Sequence, residues 1–223
     1  MQRHNTPSDI EKTSMTIIEK ELAEEGICLP FENAPVIKRV IHCTADFDYA
    51  KSMFFTPGAV EKGCRVLRCG ADLVTDTNMT RSGISGSTLG VLGGSVYCYM
   101  ADPRIMQLAK DNDTTRAAMS MREASVLHPE AVYSVGNAPT ALYEIDRLIR
   151  EEQFRPGLVI AVPVGFVNVV EAKERIKETC LEYEIPLIAA MGRKGGSNVA
   201  AAICNGLIYL ATDRLDPKQR GWN

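Results

Sequence analysis

The stretch "LVIAVPV", residues 158–164, carries seven apolar side chains in a row. A strand that faces solvent on one side alternates apolar and polar residues, whereas a strand covered on both faces reads as a short continuous apolar run. Working outward, "AVYSV" (131–135) and "PLIAA" (186–190) have the same character, and "ADLVT" (71–75) and "SVYCYM" (95–100) are further strand candidates. Between them lie segments of helical spacing at 57–69, 104–124, 139–152, 167–183 and 197–211, the second broken near Asn112. Segment 167–183 gathers Val169, Ala172, Ile176 and Cys180 on one side, with Glu171 four residues before Arg175 on the outer side. Segment 197–211, "SNVAAAICNGLIYLA", is apolar nearly all round behind a candidate Ser197 cap, as a helix buried on most sides should be. Two more helices, at roughly 8–25 and 34–45, precede the sheet. This alternation predicts an α/β fold with three layers, α/β/α, and a mainly parallel sheet of about five strands. No repeat, low-complexity tract or linker divides the chain, so a single domain over 1–223 is expected, with a mobile tail at 213–223.

Composition narrows the function classes. The chain has 223 residues, 24% of them charged, and a formal net charge of -3, so it lacks the basic surplus that a nucleic-acid binder carries. No run reaches the roughly 18 apolar residues of a membrane span, and the start "MQRHNTPSDIEK" lacks the apolar centre of a signal peptide. A cytoplasmic protein that binds neither nucleic acid nor membrane is the expectation. The seven cysteines are odd in number and scattered, and most sit in apolar runs, which predicts reduced core thiols. With no C-x-x-C pair and no Cys/His cluster, no metal site is expected.

In open α/β sheets ligands bind beyond the carboxyl ends of the strands. The loops there are "TDTNMTRSG" (75–83), "ADPR" (101–104), "VGNAPTAL" (135–142), "PVGFVN" (163–168) and "MGRKGGSN" (191–198). Each puts Gly, Pro, Asn or Asp where a strand hands over to a helix, which turns backbone N–H groups into a crevice. Any one of them reads equally as a plain turn; several on one edge point to a ligand cleft. Asp76, Arg81 and Asn137 are candidate substrate contacts from these loops, and Arg104, Arg116, Arg193 and Lys194 could pair with carboxylates. None of the loops has the spacing of a nucleotide fingerprint, and no G-x-S-x-G elbow occurs.

His42 is one of three histidines. At about 100° per residue, Val36, Ile37, Val40, Ile41 and Thr44 form one stripe of segment 34–45, and His42 falls on roughly the opposite side, near Lys38 and Asp46. It therefore faces water, a cleft or a partner chain. Three readings stay open: a surface residue, an acid/base or substrate contact, or a metal ligand. A neighbouring Asp46 carboxylate would favour its protonated form.

Together, "RVIHCTAD", "GNAPTAL", "PVGFVNVVEAKE" and "GRKGGSNVAAAICN" resemble the precorrin-8X methylmutase family of cobalamin biosynthesis, in order and spacing, from about Ile10 to Ala211. The resemblance implies an isomerase that moves a methyl group from C-11 to C-12 of a cyclic tetrapyrrole, precorrin-8X or cobalt-precorrin-8. The products are hydrogenobyrinate or cobyrinate, and an intramolecular shift needs no cofactor. It implies His42 as proton donor, Ser14 and Arg116 as substrate contacts, and a homodimer whose clefts draw on both chains. The peripheral acetates and propionates of such a substrate would give the arginine-bearing loops a purpose. A non-catalytic tetrapyrrole carrier sharing the cleft is the alternative reading.

Overall fold

The computed structural model describes residues 6–220. Its helices are α1 (Pro7–Glu24), α2 (Ala34–Thr44), α3 (Tyr49–Ser52), α4 (Ala59–Arg68), α5 (Asn78–Gly83), α6 (Gly86–Gly90), α7 (Pro103–Asp111), α8 (Arg116–Leu127), α9 (Pro139–Glu151), α10 (Val169–Glu182) and α11 (Ser197–Ala211). The strands are β1 (Met53–Phe55), β2 (Leu73–Thr75), β3 (Val96–Tyr97), β4 (Val132–Val135), β5 (Leu158–Ala161) and β6 (Leu187–Ala190), and a 3-10 turn spans Pro217–Arg220. The strands form one sheet in the order β1-β6-β5-β4-β2-β3. The five predicted strands pair parallel, as expected, and a sixth, β1, adds antiparallel to β6 at one edge.

Side chains alternate across the sheet with period two, and two cores result. Leu73, Val132, Leu158, Ile160 and Ile188 pack under α4 and α11, while Val74, Tyr133, Val135, Val159, Ala161 and Leu187 pack under α8, α9 and α10. On the first face, α2 lies outside α11 with α1 beyond it, which makes α11 apolar all round because it is covered by sheet and helix alike. Val36, Ile37, Val40 and Ile41 of α2 are buried against it, as the predicted stripe requires.

After β2 the chain crosses to the α11 face, and after β4 it crosses to the α9 face. The carboxyl ends of β2 and β4 are neighbours, so a topological switch point lies between them. Two details differ from expectation. Ser197 is the first residue of α11 rather than its cap, with Gly196 at the cap and the Ser197 hydroxyl 2.8 Å from that of Thr77. Of the seven free cysteines only Cys64, Cys180 and Cys204 are buried; Cys28, Cys43 and Cys69 are exposed. The segment after α11, expected to be mobile, is tied to α1 through residue 220 by Lys12–Asp216 and Arg220–Glu11; residues 221–223 lie outside the described residues.

Candidate active site

His42 stands in the last turn of α2. It is half-buried and opens into a depression of ≈ 370 Å³ between α2 and α11, whose rim includes Arg39, Cys43, Gly83, Asn198 and Asn205. Neither ring nitrogen makes a hydrogen bond among the described residues, which leaves both free for a ligand. Asn205 is fully engaged: its side chain accepts from Ser85 N at 2.8 Å and donates to Gly83 O at 2.8 Å, fastening α5 and α6 beside the depression.

The electrostatics of His42 differ from the sequence reading. α2 stops at Thr44 because Ala45 adopts a left-handed conformation (φ 53°), and the chain then turns away. Asp46 is captured by Lys194 Nζ at 2.6 Å, which also holds Asp48 at 2.6 Å. The carboxylate expected to protonate His42 is therefore committed elsewhere. Burial, then the Arg39 guanidinium and more weakly Arg220, push the imidazole below its ordinary pKa against an opposing pull from Glu11.

The switch point is organised by Asp76. It is fully buried, and its carboxylate accepts from Gly136 N (2.8 Å), Asn137 N (2.8 Å) and Ala138 N (2.7 Å). Burial pushes its pKa up against those three amide donors. Asp76 thus faces inward and shapes the loop entering α9, while Asn137 in that loop is exposed. Gly136 permits a close approach: a Cβ there would sit 2.9 Å from Ser197 Cα, so the loop packs directly on the first turn of α11.

Arg116 is exposed at the start of α8, where the preceding cap residue Thr115 bonds Thr140 of α9 at 2.9 Å. Arg116 and Asn137 therefore share the carboxyl edge on the α9 side, whereas His42 lies on the α11 side. Neither lines the His42 depression within one chain. Arg81 is exposed in the last turn of α5, two residues before the rim residue Gly83. Ser14 is half-buried on α1 and donates to Ile10 O at 2.9 Å, outside that depression.

Two residues escaped the sequence reading. Arg39 precedes His42 by three positions, the spacing that brings helical neighbours together, and that signal was available. Lys173 of α10 is fully buried and donates to Gly192 O (2.9 Å) and Lys194 O (2.8 Å), and burial pushes its pKa down to about 8. It holds the glycine-rich turn that leads into α11. Among the described residues no group of three or more His, Cys, Asp or Glu could hold a metal ion. Among the same residues no helix is long and apolar enough to cross a membrane.

Residues 9–210 match the family described as Precorrin-8X methylmutase. The cobalt-precorrin-8 methylmutase of Leptospira interrogans is 40% identical over 216 residues, covering 94% of this chain and 96% of that protein. The Salmonella typhimurium protein of the same name is 41% identical over 91% of this chain and 95% of its own length. A crystal structure of precorrin-8x methyl mutase from Thermus thermophilus superposes with a TM-score of 0.80 at 36% identity, covering 92% of this chain and 98% of that one.

Proposed function

We propose, from the premise that this chain belongs to the precorrin-8X methylmutase family, that His42 is its proton donor. The family activity is an intramolecular isomerisation: a methyl group leaves C-11 of the tetrapyrrole and joins C-12 of the same ring system. Both curated relatives described above are named for cobalt-precorrin-8, which favours the cobalt-containing substrate and cobyrinate as product.

The observation that carries the catalytic reading is His42 itself, a half-buried imidazole with both nitrogens unengaged, at the mouth of a depression with a guanidinium on its wall. A proton delivered to the macrocycle draws electron density toward it, the C-11–methyl bond breaks as the C-12–methyl bond forms, and return of a proton from the macrocycle to the imidazole leaves an isomer of the substrate. Burial, and then Arg39, hold the imidazole pKa below its ordinary value in the free protein. A substrate bearing several carboxylates compensates Arg39 and raises the imidazole pKa, so the acid is charged when the substrate is seated. Asn137, Arg116 and Arg81, exposed at the carboxyl edge, supply neutral and cationic contacts to those carboxylates, with Ser14 nearer α2. Asp76 serves by shaping the Asn137 loop.

A homodimer reconciles the separation of His42 from Arg116, since a second chain could bring its own carboxyl edge to the depression. Apolar side chains left exposed beyond β5, Phe166 at 82% and Val167 at 77%, support such an interface.

The test is to incubate the protein and its His42→Ala variant with precorrin-8X and with cobalt-precorrin-8, following absorbance and identifying the product. We expect faster conversion of the cobalt form, and a loss of about 10²–10⁴-fold in kcat for the variant with binding retained. Unchanged turnover would remove His42 as the acid; binding of both compounds without conversion by the unaltered protein would favour a carrier.

A further inference from the structure

Glu11, on α1, is 5% exposed, and one carboxylate oxygen takes two guanidinium donors at once: Arg39 Nη2 at 2.5 Å and Arg220 Nη2 at 2.6 Å. Both guanidinium groups stand over the ring of Tyr209 on α11, 5.0 and 4.3 Å from its centroid. Four elements meet in this cluster: α1, α2, α11 and the 3-10 turn of the C-terminal segment. Burying three charged groups is costly, and the exposed Lys12–Asp216 pair already fastens that segment to α1. A purely structural clasp would not need the buried charges. Arg39 is the member of the cluster that also lines the His42 depression, one helical turn before the imidazole.

We propose that Glu11 and Arg220 are positioning residues for the His42 site: the C-terminal segment closes over α1, and the doubly bonded Glu11 holds Arg39 fixed against the wall of the depression. This rests on the reading of that depression as the active site. A guanidinium pinned by Glu11 and stacked on Tyr209 meets a substrate carboxylate in one place only, which fixes the macrocycle relative to the proton donor. The charged and titratable groups around His42 are Glu11 from α1, Arg39 and Cys43 from α2, and Arg220 from the C-terminal turn; α11 and α5 present uncharged groups to it.

The experiment uses the full chain and the variants Arg220→Ala, Arg220→Lys and Glu11→Gln, with Lys218→Ala as a control in the same turn. Three histidines give three imidazole signals by NMR, and His42 is assigned by its loss in His42→Ala. Arg220→Ala should move the His42 titration upward and raise KM for the tetrapyrrole about fivefold, with kcat within about twofold. Glu11→Gln should also raise KM but move the titration downward, and Arg220→Lys should return the titration toward the parent value while KM stays raised, because an ammonium cannot both reach Glu11 and lie flat on the Tyr209 ring. Lys218→Ala should match the parent. If Arg220→Ala and Arg220→Lys both leave the titration and KM unchanged, the proposal is overturned and the cluster is a tail clasp. If Arg220→Ala does not fold, Arg220→Lys decides by its KM alone. Should His42→Ala retain turnover, the reading of His42 as the acid fails, while the KM of Arg220→Ala and Arg220→Lys still decides the positioning claim: a raised KM keeps it and an unchanged KM overturns it.

Discussion

Replacing Asp76 by Asn tests how the carboxyl edge is built. The carboxylate accepts three backbone N–H groups in a fully buried setting, two on one oxygen and one on the other. An Asn amide keeps at most the pair from Asn137 and Ala138 on its oxygen and turns its NH₂ against the N–H of Gly136. That leaves one buried donor unsatisfied, a cost of about 1–3 kcal/mol. The two remaining bonds lose their ionic character, which weakens each to roughly half. Against this, a neutral side chain no longer suffers the desolvation that pushes the Asp76 pKa up. The balance is a net destabilisation of about 2 kcal/mol, or a fall of about 4–8 °C in Tm for a chain of this length. Thermal and urea unfolding measure it, and hydrogen exchange at residues 136–138 localises it to the loop. An Asp76→Asn protein with unaltered Tm and exchange but a raised KM would refute the argument and return Asp76 to the role of a direct substrate contact.

Two pH experiments follow from the shifted groups. With His42 as acid, kcat/KM should fall as pH rises through a value below the usual histidine pKa of about 6.5, while the limb in kcat lies higher because the bound substrate restores the proton; a kcat that rises with pH across this limb would contradict the assignment. Lys173 has a folded pKa of about 8 against about 10.4 unfolded, so between those values the unfolded chain binds the extra proton and stability rises with pH. Urea unfolding of the parent and Lys173→Met at pH 7.5, 9 and 10.5 should show the parent gaining relative to the variant at each step, and a constant difference would deny the shift.

The parallel strands were legible because covering on both faces removes the polar positions from a strand, and "LVIAVPV" shows that directly in its residues. β1 was not legible: three half-buried residues directly after α3 carry neither length nor alternation. The stripe of α2 left His42 out of the helix's apolar contact, as the structure has it, since helical geometry is local. What that geometry could not supply was the end of the helix at Thr44, two residues after His42, before a left-handed alanine that no glycine announces. Asp76 is a different case. A polar residue at a strand end reads as a ligand contact, and only the non-local adjacency of β2 and β4 reveals three amides waiting for it. Glu11 and Arg220 lie 209 positions apart, beyond the reach of any spacing rule.

The helix stop at Ala45 has a chemical consequence. Had α2 continued, Asp46 would have lain one turn from His42 and paired with it, giving an imidazolium at rest that was already neutralised and poorly disposed to attract a polyanion. With Asp46 held by Lys194, the carboxylate that acts on His42 is Glu11, and that group is shared by two guanidiniums. The surroundings of His42 thus carry one more positive charge than negative, with Arg39 and Arg220 against Glu11, and this disfavours a charge on its own ring. A substrate with several carboxylates is drawn to that imbalance, and in correcting it raises the proton affinity of the imidazole. On the proposal that His42 is the proton donor, binding and the arming of the acid are one electrostatic event, which confines proton delivery to the occupied site.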